Sequence, residues 1–246
     1  AIAATAELMP TSDIAEALRY VKEEREISLM RQACAATDRV FAEICAYIKP
    51  GITEKDLARE LLYCIMKQGC DASFPSIVAA GPNGSLPHAI PSDRRIKEHE
   101  FITMDFGCAY AGYHADMTRT VIIGRPNAKQ KEIYGIVLAA KQRAEALIHA
   151  GLSGREVDAA ARDYIAEKGY GGNFGHGLGH GVGLDIHESP RLNQSSEQIL
   201  RSGCLVTIEP GIYLPGWGGL RIEDTVLVTD NGHENLFTSE RELICL

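Results

Sequence analysis

The stretches Gly51-Ile-Thr-Glu-Lys-Asp-Leu57 and Gly151-Leu-Ser-Gly-Arg-Glu-Val157 lie one hundred positions apart and follow the same pattern. In both, a hydroxyl residue stands two positions after the glycine and an acidic residue stands three positions after the hydroxyl, which is the capping box that begins an α-helix. Apolar residues at three- and four-residue steps precede each stretch, over residues 27–48 and 133–148. The sequence therefore predicts an internal repeat of a long helix followed by a shorter, capped one.

The repeat continues into two pairs of apolar, β-branched segments that are typical of strands. Residues 101–107 match residues 205–211, and residues 115–123 match residues 222–229. The glycine-rich stretch between the two strands of each half predicts a hairpin turn. We expect an α+β fold whose two halves are related by a pseudo-twofold axis, with the helices covering one curved antiparallel sheet.

Each half places one carboxylate in its first strand and one at the start of its second strand. The four residues are Asp105, Asp116, Glu209 and Glu223. One carboxylate in a strand is usually part of a solvated face, but four at equivalent repeat positions would converge if the halves pack about a common axis. Burying them together would cost several kcal/mol each unless they took up protons or bound cations. The repeat thus indicates a cation site.

A second unusual stretch is Gly175-His-Gly-Leu-Gly-His-Gly-Val-Gly-Leu-Asp-Ile-His-Glu-Ser-Pro190, in which His176, His180 and His187 stand among alternating glycines. Flexible linkers carry serine, proline or charge instead of histidine. Glycine suits places where backbone passes close to a neighbour or where a histidine must approach an ion. Two Asp, two Glu and one of these His form an oxygen-rich donor set that suits two divalent ions better than a structural zinc site.

Composition limits the function classes. The chain has 246 residues and a net charge of −8, which argues against nucleic acid as the main partner. Its seven cysteines are odd in number and form no Cys-x-x-Cys, so neither a disulfide framework nor a zinc knuckle is indicated. Several lie in apolar runs, which is typical of a reducing compartment and predicts a cytoplasmic protein. No apolar run reaches the length of a membrane span, so no membrane partner is expected.

These motifs resemble those of the pita-bread metallopeptidases, which include methionine aminopeptidases, aminopeptidase P and prolidases. The segments that carry the resemblance are Asp105-Phe-Gly, Ala-Asp116-Met-Thr-Arg, Gly-His180-Gly through His187-Glu, Ile-Glu209-Pro-Gly and Leu-Arg221-Ile-Glu223-Asp-Thr. The resemblance implies the pita-bread fold and two divalent metal ions, with manganese favoured and cobalt, zinc or iron open. The metal ligands that it implies are Asp105, Asp116, His180, Glu209 and Glu223.

The same resemblance implies the remaining site residues. His88 and His187 would contact the substrate or protonate the leaving nitrogen, and Glu209 would double as general base. An arginine two residues before the ligand glutamate, here Arg221 before Glu223, is more similar to the proline-specific branch than to the methionine aminopeptidases. Resemblance to that branch implies hydrolysis of N-terminal Xaa-Pro bonds in peptides or dipeptides. His176, Arg221 and Tyr213 are then candidate substrate-binding residues. Arg221 would bind a peptide carboxylate or pair with a ligand carboxylate, and Tyr213 or Trp217 could supply a wall for the proline ring.

Residues 1–12 are expected to be a tail from an N-terminal domain that proline-specific relatives carry, and residues 13–246 to form the catalytic domain. Ser12 or Asp13 could cap a helix that runs to about Val21. Two alternatives stay open: removal of another N-terminal residue, as in methionine aminopeptidases, and a non-catalytic member that binds peptides. The resemblance also leaves open a homodimer.

Overall fold

The computed structural model describes residues 9–12 and 14–246. Within these residues the chain forms five α-helices. Their bounds are α1 Ile14–Arg19, α2 Glu24–Tyr47, α3 Glu54–Lys67, α4 Ala128–Leu147 and α5 Gly154–Glu167. The first of them is short and buries none of its residues, and the cap predicted at Asp13 lies outside the described residues.

The strands lie between the two helix pairs and after the second pair. The strands of the first half are β1 Asp71–Ala72, β2 Ile77–Ala80, β3 Phe101–Phe106, β4 Cys108–Tyr110, β5 Tyr113–His114 and β6 Met117–Ile122. Those of the second half are β7 Gly179–Gly181, β8 Glu188–Leu192, β9 Leu205–Ile208, β10 Gly211–Leu214, β11 Gly218–Arg221, β12 Asp224–Thr229 and β13 Gly232–Asn235. The predicted turns are therefore hairpins with strands of their own, β4–β5 and β10–β11.

The capping boxes form as the sequence predicts. The Thr53 hydroxyl accepts from the Asp56 N–H while the Asp56 carboxylate accepts from the Thr53 N–H, and α3 begins there. Ser153 and Glu156 make the same reciprocal pair at the start of α5. Each cap satisfies backbone donors that a helix N-terminus otherwise leaves unpaired, a contribution of about 1 kcal/mol.

The repeat extends to hydrogen bonds that the sequence pattern does not show. The N–H of Gly51 donates to Ile96 O at 2.8 Å, and the N–H of Gly151 donates to Leu200 O at 2.9 Å. Both glycines have positive φ, +92° and +97°, which residues with a side chain rarely adopt. The same turn, closed on an equivalent loop, thus ends the long helix of each half.

Two hydrophobic cores lie beneath the helices, one centred on each half and each completed by a few residues of the other half. In the first, α2 and α3 pack against strands that include β3 and β6, with Met30, Leu57 and Met104 among the fully buried side chains. In the second, α4 and α5 pack against β9 and β12, with Val137 and Val206 fully buried. The helices therefore cover the sheets, as predicted. Polar groups lie at the strand ends between the two cores.

Backbone hydrogen bonds divide the antiparallel strands into four sheets instead of a single continuous one. The two that matter for the site are β2–β3–β6 and β13–β12–β9–β7–β8, which meet where β6 and β12 begin. Here the Glu223 N–H donates to Thr118 O at 3.1 Å, and the Thr225 hydroxyl donates to Asp116 O at 3.1 Å. A backbone hydrogen bond and the Thr225 hydroxyl thus join the two sheets at this junction, where Asp116 and Glu223 lie.

The glycines around His180 admit neighbouring backbone. A Cβ at Gly179 would lie 2.0 Å from Thr207 O, and one at Gly181 would lie 2.3 Å from Ser189 O. Only glycine lets β7 fit between β8 and β9 at these two positions. The alternation therefore serves close strand packing and leaves His180 as the side chain that β7 contributes. No described helix is long and apolar enough to span a membrane.

Candidate active site

One cavity of about 370 Å³ brings the predicted site residues together. Its lining includes Asp105, Asp116, His180, Glu209 and Glu223, together with His88, His176, His187 and Arg221. Asp105 lies in β3, Asp116 and Glu223 directly precede β6 and β12, and Glu209 directly follows β9. The carboxylates therefore come from the strand junction of the two halves.

His180 is oriented by its own backbone surroundings. Its N–H donates to the Thr207 hydroxyl at 3.0 Å, and its Nδ1 lies 3.0 Å from Gly181 O. Since a carbonyl oxygen can only accept, Nδ1 carries the proton and Nε2 keeps a free lone pair. That nitrogen lies 3.5 Å from Asp116 Oδ2 and 3.4 Å from Glu209 Oε1. Burial lowers the pKa of His180 to about 3, which keeps the ring neutral.

The carboxylates repel one another in this buried place. Burial, followed by the charges of Glu223, Asp105 and Glu209, raises the pKa of Asp116 well above its usual range. Burial also raises the pKa of Glu209 to about 7 against the opposing effect of the Arg221 guanidinium. The pKa of Glu223 is raised by burial and by its acidic neighbours. Without a cation, the cluster therefore favours protonated carboxyls.

Unpaired oxygens show what the cluster lacks. Among the described residues, Asp105 Oδ1 and Glu223 Oε1 are buried and have no hydrogen-bond partner. Ligand atoms of Asp116, His180 and Glu223 all lie within 4.8 Å of one another. Oxygen donors with one neutral imidazole nitrogen are what divalent ions of the manganese or zinc kind accept. The donor set thus fits metal ions.

A chain of hydrogen bonds runs through Arg221. Its Nη2 donates to Asp105 Oδ2 at 2.5 Å, its Nε to the Thr118 hydroxyl at 2.9 Å and its Nη1 to the Tyr213 hydroxyl at 2.9 Å. The Thr118 hydroxyl donates in turn to Glu223 Oε2 at 2.6 Å. Arg221 is 3 % exposed. It therefore orients one carboxylate directly and another through Thr118.

Tyr213 and His176 continue this chain. The Nδ1 of His176 lies 2.8 Å from Gly177 O and therefore carries a proton, so its Nε2 accepts from the Tyr213 hydroxyl at 2.8 Å. Burial and the nearby Arg221 charge lower the pKa of His176 to about 4. The side chains of His176, Tyr213 and Arg221 are thus joined by hydrogen bonds, with the Tyr213 hydroxyl between the other two. Arg221 lines the first cavity, Tyr213 lines a neighbouring one of about 260 Å³, and His176 lines both.

The other two predicted histidines have freer side chains. His88 follows the 3₁₀ turn Gly81–Ser85 and lines both cavities. His187 directly precedes β8, and its ring centroid lies 4.4 Å from that of His180. Both are exposed residues that reach the cavity from its rim. Their imidazoles are therefore accessible to a bound molecule.

Some lining residues are not among the sequence predictions. Arg191 and Asn193 line the cavity, as do the apolar residues Phe74, Ile77 and Ile186. Arg191 faces His180 across the β7–β8 pair, and the glycine–histidine stretch ends only one residue before it. Strand alternation after His187 could have pointed to Arg191, and Ile186 directly precedes His187 in the same stretch. Phe74 and Ile77 come from a distant segment around the start of β2, which carries no local signal of the site.

Trp217 lies elsewhere. Its ring packs edge-on against Phe101 at 6.1 Å and under Lys129 Nζ at 4.7 Å, and it lines a separate cavity of about 170 Å³. The hairpin β10–β11 carries it away from the metal-ligand candidates, so it supplies no wall there. The other histidines do not line the catalytic cavity: His99 is exposed, and His114, His149 and His233 are half-buried.

Comparisons with known proteins agree with the motif resemblance. The profile of metallopeptidase family M24 matches residues 28–230. A peptidase of Bacillus subtilis is 45% identical over 247 residues, covering 100% of this chain and 70% of that protein. A protein of Pyrococcus horikoshii named Xaa-Pro dipeptidase is 43% identical, over 97% of this chain and 68% of its own length. The solved Xaa-Pro dipeptidase of Bacillus anthracis superposes with a TM-score of 0.97 at 48% identity, covering 98% of this chain and 68% of that one.

The raised pKa of Glu209 makes a prediction for metal-free protein. Between the ordinary value of 4.5 and about 7, the folded chain binds more protons than the unfolded chain, so stability falls as pH rises through this window. Glu209→Gln removes the charge and should raise Tm at pH 8 but hardly at pH 5. Since one pKa unit corresponds to about 1.4 kcal/mol, the gain at pH 8 is at most about 3 kcal/mol. The exposed Glu167→Gln serves as control, and an equal gain at both pH values would contradict the prediction.

Proposed function

The chain belongs to metallopeptidase family M24, and on this basis we propose that it hydrolyses the N-terminal Xaa-Pro bond of peptides with two divalent metal ions. The observation that carries the proposal is the convergence of five ligand-type side chains and the accessible His88 and His187 on one cavity. The preference for proline is supported by relatives that are named Xaa-Pro dipeptidase and cover nearly all of this chain.

The metal ions would be held by the residues that the cavity gathers. These are Asp105, Asp116, His180, Glu209 and Glu223. The unpaired Asp105 Oδ1 and Glu223 Oε1 support this assignment, as does the free Nε2 of His180. Manganese fits the oxygen-rich set well, and cobalt, zinc or iron would also fit. When bound, such ions lower the pKa of water and polarise a carbonyl.

Glu209 is the candidate general base. It directly follows β9, and its Oε1 accepts a hydrogen bond from the Thr207 hydroxyl at 3.2 Å. In the metal-free site, burial and the charge of Asp105 outweigh the Arg221 guanidinium and raise the pKa of Glu209 to about 7, so the carboxylate takes up a proton readily. We expect Glu209 to take the proton of the attacking water, which a base with a pKa near the working pH does best.

The leaving group needs a proton of its own. The nitrogen of an Xaa-Pro bond is a tertiary amide, and it must be protonated when the bond breaks. His88 and His187 line the cavity with accessible rings, so either can donate to that nitrogen or to the carbonyl. Partial desolvation of its accessible ring, together with the charge of Arg191, lowers the pKa of His187, so the protonated ring gives up its proton readily.

The wall for the proline ring is apolar. Phe74, Ile77 and Ile186 line the cavity and offer the non-polar surface that a pyrrolidine ring requires. The sequence expectation placed this role on Tyr213 or Trp217. The Tyr213 hydroxyl is held between His176 and Arg221, and Trp217 lines a different cavity, so we assign the wall to the three apolar residues.

The two cavity arginines have different tasks. Arg221 is buried and donates to Asp105, Thr118 and Tyr213, so we propose that it orients the carboxylates. Arg191 is exposed at the cavity, and its guanidinium is available to the carboxylate at the end of a short peptide. This arrangement favours Xaa-Pro dipeptides over longer chains.

The proposal is tested with peptides. Metal-loaded protein should hydrolyse Ala-Pro at least about a hundredfold faster than Met-Ala, measured as kcat/KM with Mn²⁺ or Co²⁺ added. A difference of this size corresponds to about 2.7 kcal/mol of transition-state discrimination. Ready cleavage of Met-Ala without cleavage of Ala-Pro would transfer the chain to the methionine aminopeptidase alternative. No cleavage of either by protein that binds metal would support a peptide-binding member.

The arginine assignment predicts different substrate dependence for two variants. Arg191→Met should lower kcat/KM about 10- to 100-fold on Ala-Pro and little on Ala-Pro amide, since a hydrogen bond to a charged group contributes about 1.5–3 kcal/mol. Arg221→Lys should lower both rates equally, because it acts on the carboxylates whichever substrate is bound. A loss on the amide as large as on Ala-Pro for Arg191→Met would refute carboxylate recognition.

A further inference from the structure

We propose that Lys22, assisted by Arg19, is a positioning residue for His187. In this inference the segment Arg19–Lys22, here termed the strap, holds the carboxylate of Glu188 and so fixes the loop Gly183–Glu188 that presents His187 to the cavity. The inference rests on the proposed role of His187 in the hydrolysis. It concerns a segment that lies far from the metal-ligand candidates in sequence.

The ion pair is buried at its centre. Lys22 Nζ lies 3.0 Å from Glu188 Oε2, and the two side chains are only 2% and 6% exposed. Arg19 Nη2 donates to Glu188 Oε1, and the same oxygen accepts from the Asp185 N–H at 2.9 Å. Burial alone would raise the pKa of Glu188, but the Asp185 N–H and the two cations outweigh it and the pKa is lowered. Glu188 is thus a charged anchor whose carboxylate accepts hydrogen bonds from the strap and from its own loop.

The loop is closed around this anchor. A Cβ at Gly183 would lie 2.9 Å from Glu188 Oε2 and 2.9 Å from Lys22 Cε, so the backbone there packs directly on the ion pair. The Gly183 N–H donates to Asp185 O at 3.1 Å, and Gly183 O accepts from the His114 N–H at 2.8 Å. Moving the Glu188 carboxylate would therefore shift the backbone on both sides of His187.

The strap has its own attachments, which make it a fixed support. The Lys22 N–H donates to Gly203 O at 2.9 Å, and the Tyr20 hydroxyl donates to Ile199 O at 2.8 Å. A Cβ at Gly203 would lie 2.8 Å from Val21 Cγ1, so this side of the strap packs closely on the second half. The ammonium of Lys22 is consequently aimed by backbone that is already anchored.

His187 depends on this support more than the metal-ligand candidates do. Its ring makes no hydrogen bond to another described residue and rests against the His180 ring. His180 is held by Thr207 and Gly181, and Glu223 by Thr118, without a hydrogen bond from the strap. Loss of the ion pair should therefore displace His187 and leave metal binding intact.

The test is a double-mutant cycle between Lys22→Met and His187→Ala in the metal-loaded protein. Methionine keeps the unbranched stem and removes the ammonium. In the otherwise unchanged chain, Lys22→Met should lower kcat on Ala-Pro about tenfold or more, since a misplaced catalytic group costs up to about a hundredfold. Bound metal per chain should stay the same. In the His187→Ala background, Lys22→Met should change kcat less than about twofold, because the residue acts through His187.

A matched control separates positioning from general stability. Arg94 and Glu100 form another sheltered ion pair, with side chains 22% and 13% exposed, and neither lines the catalytic cavity. Arg94→Met should leave kcat unchanged. If Lys22→Met does not fold, Glu188→Gln takes its place in the cycle, since glutamine keeps an acceptor for the Asp185 N–H and loses the charge.

The outcomes separate this inference from the proposed function. If Lys22→Met lowers kcat by the same factor with and without His187, or lowers metal content, the strap acts through general structure and the inference is overturned. Unchanged kcat in Lys22→Met and Glu188→Gln overturns it too, while a loss in His187→Ala would then leave the proposed function standing. Unchanged kcat in His187→Ala would remove the assigned role of that histidine and the inference with it.

Discussion

The gathering of Asp105, Asp116, Glu209 and Glu223 in one sheltered cavity is the constraint on which the rest of the structure depends. Anions so placed repel one another and lose hydration, and the raised pKa values of three of them record that cost. The buried cation Arg221 offsets part of it through Asp105. Carboxylate oxygens of the cluster still lack a partner, and divalent ions would supply the positive charge that they need.

The internal repeat explains how such a cluster can be built. Two apolar cores lie beneath the helices, one centred on each half, and they supply the burial of apolar surface that stabilises the fold. The junction of the halves is then available for polar groups, held by threonine hydroxyls such as Thr118 and Thr225. Residues 14–22 lie outside this symmetry, and the strap among them reaches the loop of His187.

The sequence predicts structural features well where a pattern is local or is repeated in both halves. The capping boxes at Thr53 and Ser153 form as the repeated pattern predicts. The four carboxylates that the repeat singles out line one cavity, although Glu209 lies just after its strand instead of within it. The partners of Arg221 and the position of Trp217 depend on how distant segments cross, which no short pattern contains. Backbone hydrogen bonds divide the expected curved antiparallel sheet into four ladders among the described residues, and the hydroxyls of Thr120 and Thr225 bond between segments of different ladders.

The central claim is that this cluster is stable and active because it binds metal, and metal counting tests it most directly. Metal-stripped protein is titrated with Mn²⁺, and bound metal, Tm and Ala-Pro hydrolysis are followed together in the unchanged chain and in Asp116→Ala. The account predicts two ions per chain, a Tm that rises as they bind, and hydrolysis that appears only with metal. In Asp116→Ala, bound metal and nearly all hydrolysis should be lost. Full metal binding and normal hydrolysis by that variant, or hydrolysis without metal in the unchanged chain, would contradict it.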